Sequence, residues 1–159
     1  MTKPDHETRA TEDDHQALRL WLRLLTCTSL AETELRALLR VEFQTTLPRF
    51  DLLAQLRRVP EGLAMGELSK QMMVSSGNVT GIANQLIKEG LISRTAVPDN
   101  RRTFIAKLTP KGRRYFDKLA EKHEGWIIDL MEGLDKAEME QLMTLLEKLK
   151  THLQTRVSR

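Results

Sequence analysis

The segment from residue 66 to residue 90, GELSKQMMVSSGNVTGIANQLIKEG, combines apolar residues at helical spacing with small polar side chains. Its apolar residues predict two short helices that cross about a compact turn, which is a helix-turn-helix pattern. The second helix presents hydroxyl and amide groups away from the apolar set, where they can reach phosphates and base edges in a major groove. Asn and Gln amides can pair with adenine there. The candidate contact residues are Ser75, Ser76, Asn78, Thr80, Gly81, Asn84, Gln85 and Lys88.

A strongly basic segment follows directly. Residues 88–114 contain eight Lys or Arg and two acidic residues, whereas the whole chain of 159 residues has a net charge of only +3. One short region is therefore cationic on an otherwise slightly acidic chain, which indicates a polyanionic partner.

Two β-rich runs, 91–97 and 103–108, flank Pro98-Asp99-Asn100 and predict a hairpin within this basic segment. Arg101 and Arg102 lie at its tip, where a guanidinium can enter a narrow minor groove. Asp99 either orients Arg101 through a charge-assisted hydrogen bond or only forms the turn. Arg94, on the first strand, is a further candidate contact.

Longer amphipathic helices lie on both sides of this region. No Gly or Pro interrupts residues 14–43, and apolar residues recur there every three or four positions. Thr109-Pro110 begins another helix, which runs to about Gly133 with an interruption at Gly125, and a last helix starts at Asp135. Shorter elements are predicted as helices over 47–59, 66–73 and 78–89 and as an extended segment over 63–65.

Composition and motifs argue against several classes of protein. A single Cys and four dispersed His exclude a disulfide framework and a multi-cysteine zinc site, so we predict neither metal nor cofactor. Phosphate-binding, nucleophile-elbow and metalloprotease motifs are absent from the sequence, and we predict no enzymatic activity. The sequence contains no apolar run of membrane-spanning length and an acidic start unlike a secretory signal, so a cytoplasmic location without membrane association is expected.

The strings GELSKQMMVSSGNVTGIANQLIKEGLISR, PDNRR and LTPKG together resemble the multiple-antibiotic-resistance regulator (MarR) family of bacterial winged-helix transcription factors. The resemblance covers roughly residues 15–155 and implies a homodimer that binds double-stranded DNA as a regulator, most simply a repressor. The implied fold is mainly α with a small β-wing. It consists of a winged helix-turn-helix domain over 47–109, a helical dimerisation region over 14–46 and 110–157, and a disordered acidic tail over 1–13.

The resemblance also implies a small-molecule effector bound between the dimerisation helices and the winged helix. Aromatic faces beside a cation and an imidazole suit an aromatic carboxylate. The strings WLRLLTCT and LPRFDLLAQL resemble the branch that regulates hydroxycinnamate and related aromatic-acid catabolism, in which the effector can be the CoA thioester. The candidate ligand residues are Trp21, Arg49, Phe50, His123 and Trp126.

Two alternatives stay open from the sequence. Cys27 lies mid-helix, where we expect a small buried core residue, although an exposed thiolate there would make a redox-sensing repressor. A winged helix can also serve as a protein or RNA interaction module. A protein-docking face would not need Arg101 and would not give strongly salt-dependent binding.

Overall fold

The computed structural model describes residues 16–73 and 78–158, apart from the side chains of Arg101 and Arg102. The expected tail over 1–13 and the predicted turn with Ser75 and Ser76 lie outside the described residues. The elements are α1 (Gln16–Phe43), α2 (Leu47–Arg58), β1 (Leu63–Ala64), α3 (Met65–Gln71), α4 (Val79–Lys88), β2 (Ile92–Val97), β3 (Asn100–Leu108), α5 (Pro110–Met131) and α6 (Lys136–Val157). This order confirms the predicted mainly α fold with a small β-wing.

Side chains at the helix starts explain where several helices begin. Thr46 accepts a hydrogen bond from the backbone N–H of Arg49, and proline occupies the first turn of α2. Thr109 accepts from the N–H of Gly112 at 2.9 Å, which confirms the predicted cap of α5. Asp135 and Glu138 form a reciprocal capping box at α6.

The sheet has three antiparallel strands in the order β1-β3-β2. The predicted extended segment contributes β1, in which Leu63 pairs with Ala106. The predicted second wing strand is too short, because β3 already begins at Asn100, opposite Val97. Only Pro98 and Asp99 form the turn, and a register shift beside Ala96 and Val97 accommodates the extra residues of β3.

By its residue contacts the chain divides into two compact units, Met1–His123 and Glu124–Arg159. The division falls inside α5. The core of the first unit consists of side chains that solvent does not reach, each of which stabilises the fold by about 1.5–3 kcal/mol. They are Leu39, Leu52, Leu53, Leu56, Leu68, Leu86, Ile92 and Leu119.

Helices α1 and α6 leave much of their apolar surface uncovered in the single chain. In α1 the buried residues are Leu35 and Leu39, near its C-terminal end, whereas Trp21 is 58% exposed. Cys27 is also exposed, so the expectation that it packs in the core is wrong, because it falls on the part of α1 that this chain does not cover. No residue of α6 is buried, and all of that helix is within the described chain.

Helix α5 continues through Gly125 to Met131, so the predicted interruption is also wrong. A Cβ at Gly125 would meet no atom within 4 Å. The position is solvent-facing, and the backbone hydrogen bonds of the flanking turns are enough to keep it helical.

Candidate nucleic-acid interface

Helix α4 exposes the polar face that the sequence predicts. Ala83 and Leu86 are buried on its inner side. Residues at helical spacing on the other side are exposed, and no acidic side chain stands among them before the cap at Glu89. The exposed polar residues are Thr80, Asn84, Gln85 and Lys88.

Asn78 and Gly81 together form the start of α4. The side-chain oxygen of Asn78 accepts a 2.9 Å hydrogen bond from the backbone N–H of Gly81. A Cβ at Gly81 would overlap the Asn78 side chain. The glycine therefore accommodates the N-cap, a structural role that is separate from the DNA contact predicted for it from the sequence.

Arg49 connects the start of α2 to the C-terminal end of α4. Its guanidinium forms an ion pair with Glu89 and donates a 3.4 Å hydrogen bond to the side-chain oxygen of Gln85. Its Nε also donates to the hydroxyl of buried Thr45 at 3.1 Å. With 15% of its side chain exposed, Arg49 is held on three sides. Arg49, which was predicted to bind the ligand, thus contacts Gln85, which was predicted to contact a base.

A buried carboxylate, which the sequence analysis did not identify, joins α2 to the end of α3. Asp51 on α2 is only 6% exposed and accepts a 2.6 Å hydrogen bond from the backbone N–H of Met73, beyond the end of α3. Gln55, one turn further along α2, donates to the other carboxylate oxygen at 3.1 Å. The sequence did offer a signal for this role. Asp51 stands among apolar residues in LPRFDLLAQL, and an acid buried at such a position needs hydrogen-bond partners.

Arg94 lies over the ring of Phe104 across the β2–β3 pair, with its guanidinium carbon 3.7 Å from the ring centroid. This cation–π contact orients an exposed cation on the wing. Asp99 is exposed in the turn, and the main chain of Arg101 and Arg102 belongs to β3. The predicted pairing of Asp99 with Arg101 lies outside the described side chains.

The start of α5 is joined to the end of α4. The Thr109 hydroxyl donates to the Gly90 carbonyl at 2.6 Å, and the Lys111 ammonium donates to the Glu89 carbonyl at 2.9 Å. Gly112 lies so close to the Leu91 carbonyl that a Cβ there would overlap it. These contacts give a physical reason for the LTPKG string.

Phe50 and His123 form the centre of an aromatic group between α2 and the first part of α5. Their rings stack with centroids 4.4 Å apart, and Phe116 stacks on Phe50 at 5.5 Å. Burial lowers the pKa of His123 below its usual 6.5, because the charged imidazolium would lose water. Of the other predicted ligand residues, Trp21 lies on the exposed part of α1 and Trp126 belongs to the second unit.

The described residues contain no group of three or more His, Cys, Asp or Glu that could hold a metal ion. In the same part of the chain, none of the helices combines the length and apolar character needed to cross a bilayer.

The helix pair, the hairpin and the flanking helices define a winged-helix protein of the kind that carries a recognition helix. The MarR family model matches residues 45–104. A MarR family transcriptional regulator from Silicibacter pomeroyi has a similar crystal structure, with a TM-score of 0.76 and 32% identity, covering 91% of this chain and 99% of that one. The chain belongs to the MarR family.

Curated relatives agree with this assignment. The uncharacterized HTH-type transcriptional regulator YkoM of Bacillus subtilis is 34% identical over 88 residues, which are 55% of this chain and 57% of that protein. The transcriptional activatory protein BadR of Rhodopseudomonas palustris is 30% identical over 109 residues, 66% of this chain and 61% of that protein. The matches thus span less than two thirds of these relatives.

Proposed function

We propose that the protein is a homodimeric transcriptional regulator that binds a pseudo-palindromic DNA operator, reads bases with α4 and contacts the flanking minor groove with the β2–β3 wing. The observation that carries this proposal is the exposed, acid-free polar face of α4 next to a hairpin rich in Arg and Lys. A helix of this kind fits a major groove, and the cations near it neutralise phosphates.

A second copy of the chain is the occupant that best fits the uncovered faces of α1 and α6. These faces carry large apolar side chains, among them Leu18, Leu25, Leu145 and Leu153, at 45%, 49%, 64% and 48% exposure. Apolar area of this extent is normally covered in a stable protein. A two-fold dimer would present two α4 helices roughly 10 base pairs apart, matching successive major grooves.

The test of DNA binding is selection of duplexes from a random pool by the purified protein, followed by affinity measurement over a range of salt concentrations. We expect a symmetric sequence and an affinity that falls steeply with salt. Arg101→Ala should lose most of the affinity, whereas Arg36→Ala, which removes a cation paired with Glu32 on α1, should not. Weak salt dependence with an unaffected Arg101→Ala variant would support the protein-interaction alternative instead.

The effector of the proposed regulator is an aromatic carboxylate or its CoA thioester. Arg49 already pairs with a carboxylate, that of Glu89, and the next residue, Phe50, is buried in a stack with His123 that an aromatic ligand would have to open. A ligand carboxylate that replaced Glu89 at Arg49 would release the end of α4 and shift the dimer toward a form unable to span two grooves. A tenfold to hundredfold loss of operator affinity requires about 1.4–2.8 kcal/mol of coupling. Trp21 and Trp126 complete the proposed set.

Titration of the protein–operator complex with benzoate, hydroxycinnamate and hydroxycinnamoyl-CoA tests the effector. Release of DNA by one of them, abolished in Arg49→Ala and His123→Ala, would support a repressor released by its ligand. The alternative of a thiol sensor through Cys27 requires a thiol that stays accessible in the dimer, on a helix whose apolar face we propose a second copy covers. If none of these compounds acts but mild peroxide releases DNA in a way that Cys27→Ser abolishes, that alternative replaces the ligand mechanism.

A further inference from the structure

The side-chain amide of Gln85 is oriented by one hydrogen bond in this structure. It extends from the exposed face of α4, yet its oxygen lies 3.4 Å from a guanidinium nitrogen of Arg49. That guanidinium is itself held by Glu89 and Thr45, so its position does not depend on Gln85. A guanidinium has N–H donors and no acceptor, and the Gln85 atom facing it must therefore be the carbonyl oxygen.

This orientation decides what Gln85 can offer a base. Bidentate reading of adenine requires both ends of the amide, because the oxygen accepts from N6 while the NH₂ group donates to N7. With the oxygen turned to Arg49, the NH₂ group is the end left to face the groove. Guanine presents two acceptors there, N7 and O6, and no major-groove donor.

We propose that Arg49 is a positioning residue for base recognition, which holds the Gln85 oxygen inward so that Gln85 reads guanine and discriminates against adenine. This inference rests on the proposed function of α4 as the reading helix. It revises the expectation from the sequence, in which Asn84 and Gln85 were equivalent readers of adenine. No hydrogen bond from the Asn84 side chain to another described residue is present, so its amide keeps both ends for bidentate pairing.

The experiment measures relative affinity for operators that carry each of the four base pairs at every half-site position, with the full-length protein and no effector. The wild type is compared with Arg49→Met, Arg49→Lys, Gln85→Ala and the double variant Arg49→Met/Gln85→Ala. Lysine keeps a positive charge beside Glu89, but it lacks the planar guanidinium whose several N–H groups can bind Glu89 and Gln85 at the same time. Asn84→Ala is the matched control on the same helix face.

We expect Arg49→Met to shift the preference from guanine toward adenine by about fivefold or more at one position of each half-site. Arg49→Lys should shift it in the same direction, and the shift should be absent in the Gln85→Ala background. Asn84→Ala should change a different position, and its effect should be independent of Arg49. A merely structural role for Arg49 would weaken binding to all sequences alike without altering the profile.

Two results would overturn the inference. One is an adenine preference in the wild type that Gln85→Ala removes. The other is a base profile of a folded Arg49→Lys variant that superimposes on the wild-type profile. Both results require a wild-type protein that selects a defined duplex, and they leave the proposed function intact. A wild type that binds all duplexes equally would instead remove the proposed function together with this inference.

Discussion

The carboxylate of Asp51 holds the backbone N–H of Met73 at 2.6 Å across 22 positions of sequence. A side chain of α2 thereby holds the backbone that follows α3. The acceptor is buried whereas Met73 itself is largely exposed, so the carboxylate holds the end of an exposed segment against the core.

Asp51→Ala is expected to lower the free energy of unfolding by about 1–3 kcal/mol, because the amide of buried Gln55 loses its acceptor and the N–H of Met73 loses its bond to the core. Urea unfolding followed by circular dichroism measures this change. Asp51→Asn, which keeps one acceptor oxygen, should cost less. If alanine and asparagine had equally small effects on stability, the bond would not be what holds the segment after α3.

Gly112→Ala is expected to destabilise the protein by about 2 kcal/mol or more, since the added methyl group would overlap the backbone carbonyl of Leu91. Gly125→Ala, in the same helix but with open space around it, should be neutral or stabilising by up to about 1 kcal/mol. Thermal unfolding of the two variants measures the contrast. Equal melting temperatures would contradict the close approach of α5 to Leu91.

The pKa of His123 is lowered by burial, and this gives the stability a pH dependence. The unfolded chain takes up a proton at a higher pH than the folded protein does, so the free energy of unfolding should fall as pH drops below 6.5 and level off below the folded pKa. Denaturant unfolding between pH 7.5 and 5 measures the loss, which should be smaller in His123→Phe. Parallel curves for the two proteins would assign the dependence to other groups.

Charge placed on the uncovered face of α6 should prevent dimerisation. Leu146→Asp with Leu153→Asp puts two carboxylates where we propose that a second chain packs, and deletion of residues after Lys136 removes the face entirely. Sedimentation should show monomers, and operator affinity should fall because one reading helix replaces two. Thr144→Asp, made elsewhere on the same helix, is the control. A double variant that remained a dimer with normal affinity would contradict the proposed interface.

Local signals in the sequence predicted most of the elements. Thr109-Pro110 predicted the start of α5 correctly, because the capping hydrogen bond of Thr109 is made to the backbone N–H of Gly112, only three residues away. The pairing of Leu63 with Ala106 was not predictable, since a two-residue strand carries no pattern that specifies a distant partner. The exposure of Cys27 was misjudged for a related reason: periodicity identifies an apolar face but not whether this chain or another covers it.

In the candidate site, too, local features were predictable from the sequence and contacts between distant residues were not. The polar face of α4 was readable from residue types at helical spacing, and its exposure was confirmed. Arg49 is 36 positions from Gln85 and 40 positions from Glu89 in the sequence. It lies outside the helix-turn-helix segment, so the pattern of that segment could not predict these contacts. Side chains that bridge separate helices depend on how the helices pack, which residue spacing within one helix does not specify.

The joint between α4 and α5 has a mechanical consequence. The first turn of α5 is joined to the backbone just after α4: the Thr109 hydroxyl and the Lys111 ammonium donate to carbonyls there, and Gly112 lies against the Leu91 carbonyl. We therefore expect a rotation of the start of α5 to move the end of α4 with it. Flexibility at this joint would absorb such a movement, and a small rotation of α5 would then never reach the DNA.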